Sequence, residues 1–161
     1  MDQDFLPVGT APGNGPDLIA EYESCAVVIE VTLSDSSRQE AMEGEPVRRH
    51  VSDVRSQLGK PTYGLFVANH IDTNTAETFR GGTWYTKEDV KTRLDIVPFT
   101  LKQFREYFIS IFSSGNHSNG EIIDVIKGCV SERDTCDAPE WKHKIAKSLT
   151  DAISRKRATA T

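Results

Sequence analysis

Asp17, Glu30 and Thr32 bring three oxygen-bearing side chains into one segment, GPDLIAEYESCAVVIEVT, which runs from Gly15 to Thr32. Glu30 stands among β-formers, with Ala26-Val27-Val28-Ile29 before it and Val31 after it. A charge in such a run is costly if it meets a dry core. Two short apolar stretches, Leu18 to Tyr22 and Cys25 to Leu33, are separated by Glu23-Ser24, which is hairpin spacing. A two-residue turn there sets Tyr22 opposite Cys25, and the same register sets Asp17 opposite Glu30. Opposite residues share a face, about 5 Å apart at Cβ, and Thr32 falls on that face too. The other face collects Leu18, Ala20, Tyr22, Val27, Ile29, Val31 and Leu33, so one greasy side and one carboxylate side are expected. Facing carboxylates repel when both are ionised, and a divalent cation between them removes the repulsion. A few hard oxygen donors suit Mg²⁺, which keeps several of its waters, with Mn²⁺ as a substitute. Such an ion eases deprotonation of water for attack on a phosphodiester. A carboxylate simply left in solvent at a sheet end is the other reading of the same spacing.

These residues need a scaffold, and the rest of the chain offers one. Pro7 to Pro16 holds three Gly and three Pro and reads as a loop. A helix is expected from Pro46, since proline suits the first helical position. Its apolar residues Val47, Val51, Val54 and Leu58 recur at helical spacing, and Gly59 closes it. Tyr63 to Ala68 reads as a third strand, and Asp72 to Phe79 as a short helix capped by Asp72 and broken at Gly81-Gly82. Leu94 to Val97 reads as a fourth strand ending at Pro98. TLKQFREYFISIF, capped by Thr100, reads as an amphipathic helix with the stripe Leu101, Phe104, Phe108 and Ile111. Two further helices are expected around Gly120 to Val130 and Pro139 to Arg155. The order β-β-α-β-α-β-α-α-α predicts an α/β fold, a mixed sheet with helices on both faces. The expected organisation is one domain over 1–161: a core of about 10–112, a helical extension of about 113–156 and a frayed tail, which the run Arg155-Lys156-Arg157 enters.

Composition narrows the function classes. The chain has 161 residues, 37% hydrophobic and 27% charged, as in an ordinary globular domain. No apolar run approaches the ~18 residues of a membrane span, and the acidic start Met1-Asp2-Gln3-Asp4-Phe5 is not a secretory signal. Three cysteines, Cys25, Cys129 and Cys136, without CxxC spacing, speak against a disulfide framework or zinc site and for a reducing, cytoplasmic setting. Nineteen Lys and Arg stand against 24 Asp and Glu, a net charge of -5. A free-standing DNA-binding domain is usually basic, so DNA affinity is expected to come from elsewhere.

The motifs resemble a known family. Gly15-Pro16-Asp17 … Glu30-Val31-Thr32 is similar to the P-D…(D/E)-x-K pattern of a large nuclease superfamily. The stretch APGNGPDLIAEYESCAVVIEVTLSDSSRQEAMEGEPVRRH resembles the cleavage domain of AlwI-type type IIS restriction endonucleases and their small cleavage subunits. LFVANH, Leu65 to His70, resembles the strand that follows in the more distant FokI cleavage domain. The resemblance covers about residues 10 to 112. It implies an αβα sandwich, with Asp17, Glu30 and the backbone carbonyl of Val31 as Mg²⁺ ligands. It also implies double-stranded DNA as substrate, a recognition domain or large subunit as partner, and a possible homo- or heterodimer through the nuclease domain. Met1 lies 16 residues before Asp17, so no recognition domain is expected upstream, and the chain reads as an excised domain or a small subunit.

Thr32 departs from that pattern, because it stands where lysine is expected and carries no charge. The family's block after the strand carries Glu and His, here Glu43, Glu45 and His50, and Glu43 with His50 is the substitution favoured. His50 falls between Val47 and Val54 on the sheet-facing side of the helix. It reads either as a packed histidine or as a water-positioning group or proton shuttle. Glu43 lies two helical turns before it if the helix extends back past Pro46, and Glu45 reads alternatively as a cap. Gln39, on the intervening loop, and His70, at a strand end, are further candidates around the site. Lys60 reads as a phosphate contact or a solvated lysine, Arg48-Arg49 as a DNA-backbone contact or a solvated helix face. Trp84 and Tyr85 read as a loop platform or as buried. The leading expectation is a Mg²⁺-dependent DNA endonuclease module. The alternatives are a non-catalytic assembly subunit and a structure-specific repair-type nuclease of the same fold.

Overall fold

The computed structural model describes residues 8–9, 15–33, 43–113 and 120–159. The strands are β1 (Val8–Gly9), β2 (Leu18–Glu21), β3 (Ala26–Thr32), β4 (Thr62–Ala68), β5 (Thr83–Tyr85), β6 (Lys91–Arg93) and β7 (Asp95–Thr100). The helices are α1 (Glu45–Leu58), α2 (Thr73–Gly81), α3 (Leu101–Ser113), α4 (Glu121–Glu132) and α5 (Ala138–Thr159). Five strands form one mixed sheet in the order β1-β2-β3-β4-β7, and β5 and β6 form a separate hairpin.

The β2–β3 hairpin has the expected register. Leu18 pairs with Ile29, Ala20 with Val27 and Glu21 with Ala26. The Tyr22 N–H donates to the Cys25 carbonyl at 2.8 Å and closes the turn. β3 then runs parallel to β4, with Glu30 beside Phe66 and Thr32 beside Ala68. The expectation of one greasy face is corrected. β3 is an interior strand, so Val27, Val28 and Ile29 are all buried whichever way they point, whereas Val31 and Leu33 at its C-terminal end are exposed. Only that end of the strand is open to solvent, and it is the end that carries Glu30 and Thr32.

α1 begins at Glu45 with Pro46 in its first turn, where the missing N–H costs no helical bond. It ends at Gly59, whose φ of 62° needs the left-handed region open to glycine. Val47, Val51 and Val54 face the sheet and are buried. The helix lies close over β4: a Cβ at Gly64 would stand 2.8 Å from both Val51 Cγ2 and Ile96 Cγ1. α2 is capped by the Asp72 carboxylate, which accepts from the N–H of Asn74 and Thr75. Its Phe79 ring meets Phe66 of β4 with centroids 5.3 Å apart.

β7 continues through Pro98 to Thr100, where the sequence had suggested a stop at Pro98. It is an edge strand, so an absent N–H on its outer side loses no ladder bond. Thr100 and Gln103 make a reciprocal cap on α3: the Thr100 N–H donates to Gln103 Oε1 at 2.8 Å, and the Gln103 N–H donates to Thr100 Oγ1 at 3.2 Å. α5 packs on α3, α4 and α2, with Trp141, Ile145 and Leu149 buried. The helix runs to Thr159, so the stretch expected as a frayed tail from Arg155 is helical through that point, and Lys156 pairs with Glu121. Two short elements were not anticipated. β1 pairs with β2 inside the Pro/Gly-rich segment, and the β5–β6 hairpin turns at Asp89 with φ 59°. Helices thus flank a central mixed sheet, consistent with an αβα sandwich. Among the described residues no helix is long and apolar enough to cross a membrane.

Candidate active site

The open C-terminal end of β3 faces the first two turns of α1. Between them lies a cleft of about 380 Å³ lined by Asp17, Glu30, Val31, Thr32, Glu43 and His50, together with Gly15, Pro46, Arg49 and Phe66. Clefts at the carboxyl ends of parallel strands are the usual ligand sites of open α/β sheets.

Asp17, just before β2, accepts a hydrogen bond on Oδ2 from the Val31 N–H at 2.8 Å. In return, the Asp17 backbone N–H bonds the Glu30 carboxyl. The two acidic residues are therefore tied together across the first step of the hairpin. Glu30 is largely buried, its side chain 13% exposed, and its Oε1 lies 2.6 Å from His50 Nδ1. Burial raises the Glu30 pKa; the hydrogen bond and charge of His50 oppose this, and the nearby Asp17 charge adds to it. An ionised carboxylate only accepts. With Glu30 ionised, His50 Nδ1 therefore carries the proton, and in a neutral ring Nε2 keeps its lone pair. Nε2 is buried and has no hydrogen-bond partner among the described residues.

Thr32, at the position where the superfamily pattern has lysine, donates its hydroxyl to Glu43 Oε1 at 3.2 Å. Glu43 reaches the cleft because Glu43 and Gly44 form a wide, π-type turn leading into α1. Such turns shift the phase of a helix and are frequent at functional sites. The proline that made a backward extension doubtful is accommodated inside the first turn of α1.

Of the other candidates, Glu45, His70, Lys60 and Arg48 do not line the cleft. Glu45 is exposed and lies 3.5 Å from Arg49 Nε, and the residue preceding α1 is Gly44, so Glu45 is not the cap. His70 is exposed beyond the end of β4 and does not line the cleft. Gln39 lies outside the described residues. Lys60 is tied to the opposite end of the sheet, donating to the Tyr22 carbonyl at 2.8 Å and pairing with Glu21 at 2.7 Å. Arg48 and Arg49, one unit in the sequence reading, have separate fates. Arg48 donates to the Gly44 carbonyl and lies over the Trp84 ring, 5.5 Å from its centroid. Arg49 lines the cleft. Phe66, which floors the cleft, had no signal in the sequence beyond its place in an apolar strand.

Among the described residues no group of three or more His, Cys, Asp or Glu side chains is arranged to hold a metal ion. The donors present are two carboxylates with a neighbouring backbone, a set of hard oxygens short of a full shell. That chemistry fits an ion that retains water, such as Mg²⁺, and not one that demands four protein ligands. Asp17 Oδ1 has no hydrogen-bond donor among the described residues, since only Oδ2 is engaged by Val31.

Known proteins share this architecture. The small subunit of the heterodimeric restriction endonuclease R.BspD6I superposes with a TM-score of 0.70 at 26% identity, over 88% of this chain and 73% of that one. No curated protein matches in sequence. The model of the AlwI restriction endonuclease family matches residues 1–107, a span that contains the whole cleft and every strand of the sheet. On that match the chain belongs to the AlwI restriction endonuclease family.

Proposed function

We propose that this chain is a Mg²⁺-dependent DNA endonuclease module of type IIS character, hydrolysing one phosphodiester per site and depending on a recognition subunit or domain. The observation that carries the reading is the cleft itself: two linked carboxylates beside a histidine whose tautomer is set by one of them. Asp17 and Glu30, with the Val31 carbonyl, are the residues that would hold Mg²⁺. When bound, the ion supplies charge neutralisation at the phosphate and a lower pKa for water.

The chain's own residues supply the rest. Glu30 fixes the His50 ring, so that Nε2 takes the proton of the attacking water, a contribution of typically 10²–10⁴-fold. Thr32 holds the Glu43 carboxylate by its hydroxyl, and Glu43 orients that water. Glu43 and His50 together take over the water-positioning part of the absent lysine's role.

The division of labour follows from charge. Phosphate contacts by Lys and Arg dominate DNA affinity, and a chain of net charge -5 offers few to spare. The related small subunit works within a heterodimer, and a recognition-bearing partner is proposed here on that likeness. A tether to such a partner raises the local DNA concentration enough to make weak intrinsic affinity sufficient. The test is to incubate the chain alone with supercoiled plasmid and Mg²⁺ and to map the products by sequencing. Slow nicks at scattered positions are expected. Efficient double-strand cutting at one sequence by the lone chain would overturn this division.

A further inference from the structure

Three carboxylates, Asp17, Glu30 and Glu43, line the cleft, and the group they are proposed to act on is itself an anion. Even with a divalent ion present, a phosphodiester entering this cleft meets repulsion unless a permanent cation faces it. The cations nearby are mostly committed. Lys60 is held at the far end of the sheet by Tyr22 and Glu21. Arg48 is turned toward the Gly44 carbonyl and Trp84. Arg55 donates to Thr92 and to the Arg93 carbonyl. Among the described residues lining the cleft, Arg49 is the one lysine or arginine.

Its geometry distinguishes it from a solvated surface arginine. The side chain is 43% exposed, yet Nε is shielded from solvent and has no hydrogen bond. The nearest carboxylate, Glu45 Oε1, stands at 3.5 Å, beyond a strong charge-assisted bond, and is itself more than half exposed. Arg49 also lines the neighbouring groove between α1 and the β5–β6 hairpin, so it sits on the rim that joins the two depressions.

Resting on the nuclease reading of this cleft, we propose that Arg49 is its phosphate-gripping residue, binding the scissile phosphate of the DNA strand through its guanidinium and supplying the positive charge that Thr32 cannot. A planar fork of N–H donors matches two phosphate oxygens, and Arg49 precedes His50 directly on α1, both side chains lining the cleft. In the chain alone the guanidinium has only the loose, exposed Glu45 ion pair and no hydrogen bond at Nε; the phosphate contact forms with substrate.

The test uses the full chain in two measurements. In the first, anisotropy of a short fluorescein-labelled DNA duplex is followed over a salt series in EDTA. Arg49→Gln is expected to reduce the slope of log K against log salt by about 0.9, the share of one phosphate contact. Arg49→Lys is expected to keep that slope. In the second, plasmid nicking with Mg²⁺ is expected to fall about 100-fold in Arg49→Gln, the scale of one lost transition-state donor, and to recover only in part in Arg49→Lys, which keeps charge but loses the fork. Arg105→Gln, an equal charge change on the exposed side of α3, is expected to match the wild type in both. If the wild type nicks and Arg49→Gln equals it in rate and slope, the proposal is overturned and the nuclease reading stands. If the wild type does not nick, the nuclease reading falls, and the slope alone decides: a reduced slope supports the phosphate contact, an unchanged one overturns it.

Discussion

His50 Nδ1 and Glu30 Oε1 meet at 2.6 Å across the gap between α1 and the end of β3. This single contact answers two problems at once. It gives a carboxyl embedded in a β-run a partner, and it leaves the other ring nitrogen of His50, beside the cleft, without a hydrogen bond among the described residues.

The first prediction concerns that nitrogen. His50→Ala should lower the nicking rate by about 10²–10⁴-fold, the range of general-base removal, and His50→Gln should not restore it. An unchanged rate in His50→Ala would make the histidine a packing residue only.

The second concerns pH and the apo protein. Burial raises the Glu30 pKa, so the folded chain holds that proton more tightly than the unfolded chain. The stabilisation is complete below the unfolded value, about 4.3, and is lost as pH rises through the higher folded value. Ionising Glu30 in the metal-free protein therefore works against burial. In EDTA, Glu30→Gln should melt at an equal or higher temperature than the wild type at pH 7, and the difference should close as pH falls toward the unfolded value. Calorimetry at a series of pH values reads this. A lower melting temperature for Glu30→Gln at pH 7 would show that the His50 contact outweighs burial.

The third separates the two roles of Thr32. Thr32→Val removes the hydroxyl that holds Glu43. The loss of one such bond costs about 0.5–1.5 kcal/mol, and the rate should fall by about tenfold or more as Glu43 loses its orientation. Thr32→Lys should not raise the nicking rate if Glu43 and His50 serve the site as proposed. A large gain in that variant would contradict the substitution proposed here.

The fourth tests how closely α1 seats on the sheet. Gly64→Ala places a methyl against Val51 and Ile96, both buried. Overpacking of this kind costs about 1–3 kcal/mol, measured by urea unfolding. A neutral substitution would mean that α1 rides up without penalty.

The fifth concerns the cysteines. Burial pushes the Cys129 thiol up to about 12, and Cys25 is buried too, whereas Cys136 is partly exposed. Native protein treated with iodoacetamide at pH 8 should carry one adduct, at Cys136, and the unfolded chain three. Alkylation of Cys129 in native protein would show that α4 and α5 open readily.

The parts of this molecule that were legible in sequence are those set by short-range rules. The β2–β3 register followed from a two-residue turn, and it brought Asp17 and Glu30 to one end of the sheet. α1 followed from Val47, Val51 and Val54 with Gly59 at its end. What the sequence hid depends on neighbours. Pro98 reads as a stop unless β7 is known to be an edge. The short polar strands β5 and β6 carry little pattern of their own, and the hairpin is held in part by Arg48 over Trp84 and by Arg55 on Thr92. The Thr32–Glu43 contact needs a wide turn before α1 that no 3.6-residue periodicity announces. Arg48 and Arg49 look alike in sequence, and what distinguishes them is the Gly44 carbonyl and Trp84 ring that hold Arg48 away from the cleft Arg49 lines.

The central claim is that the cleft between β3 and α1 is a metal-dependent phosphodiesterase built on Asp17 and Glu30. The most direct measurement is the rate of open-circle formation from supercoiled plasmid by the full chain, with Mg²⁺ and with EDTA, for the wild type, Asp17→Asn and Glu30→Gln. The account predicts nicking by the wild type that EDTA abolishes, and none above background for either variant, with both variants folded by their melting curves. Nicking that survives EDTA, or that persists in Asp17→Asn or Glu30→Gln, would contradict it.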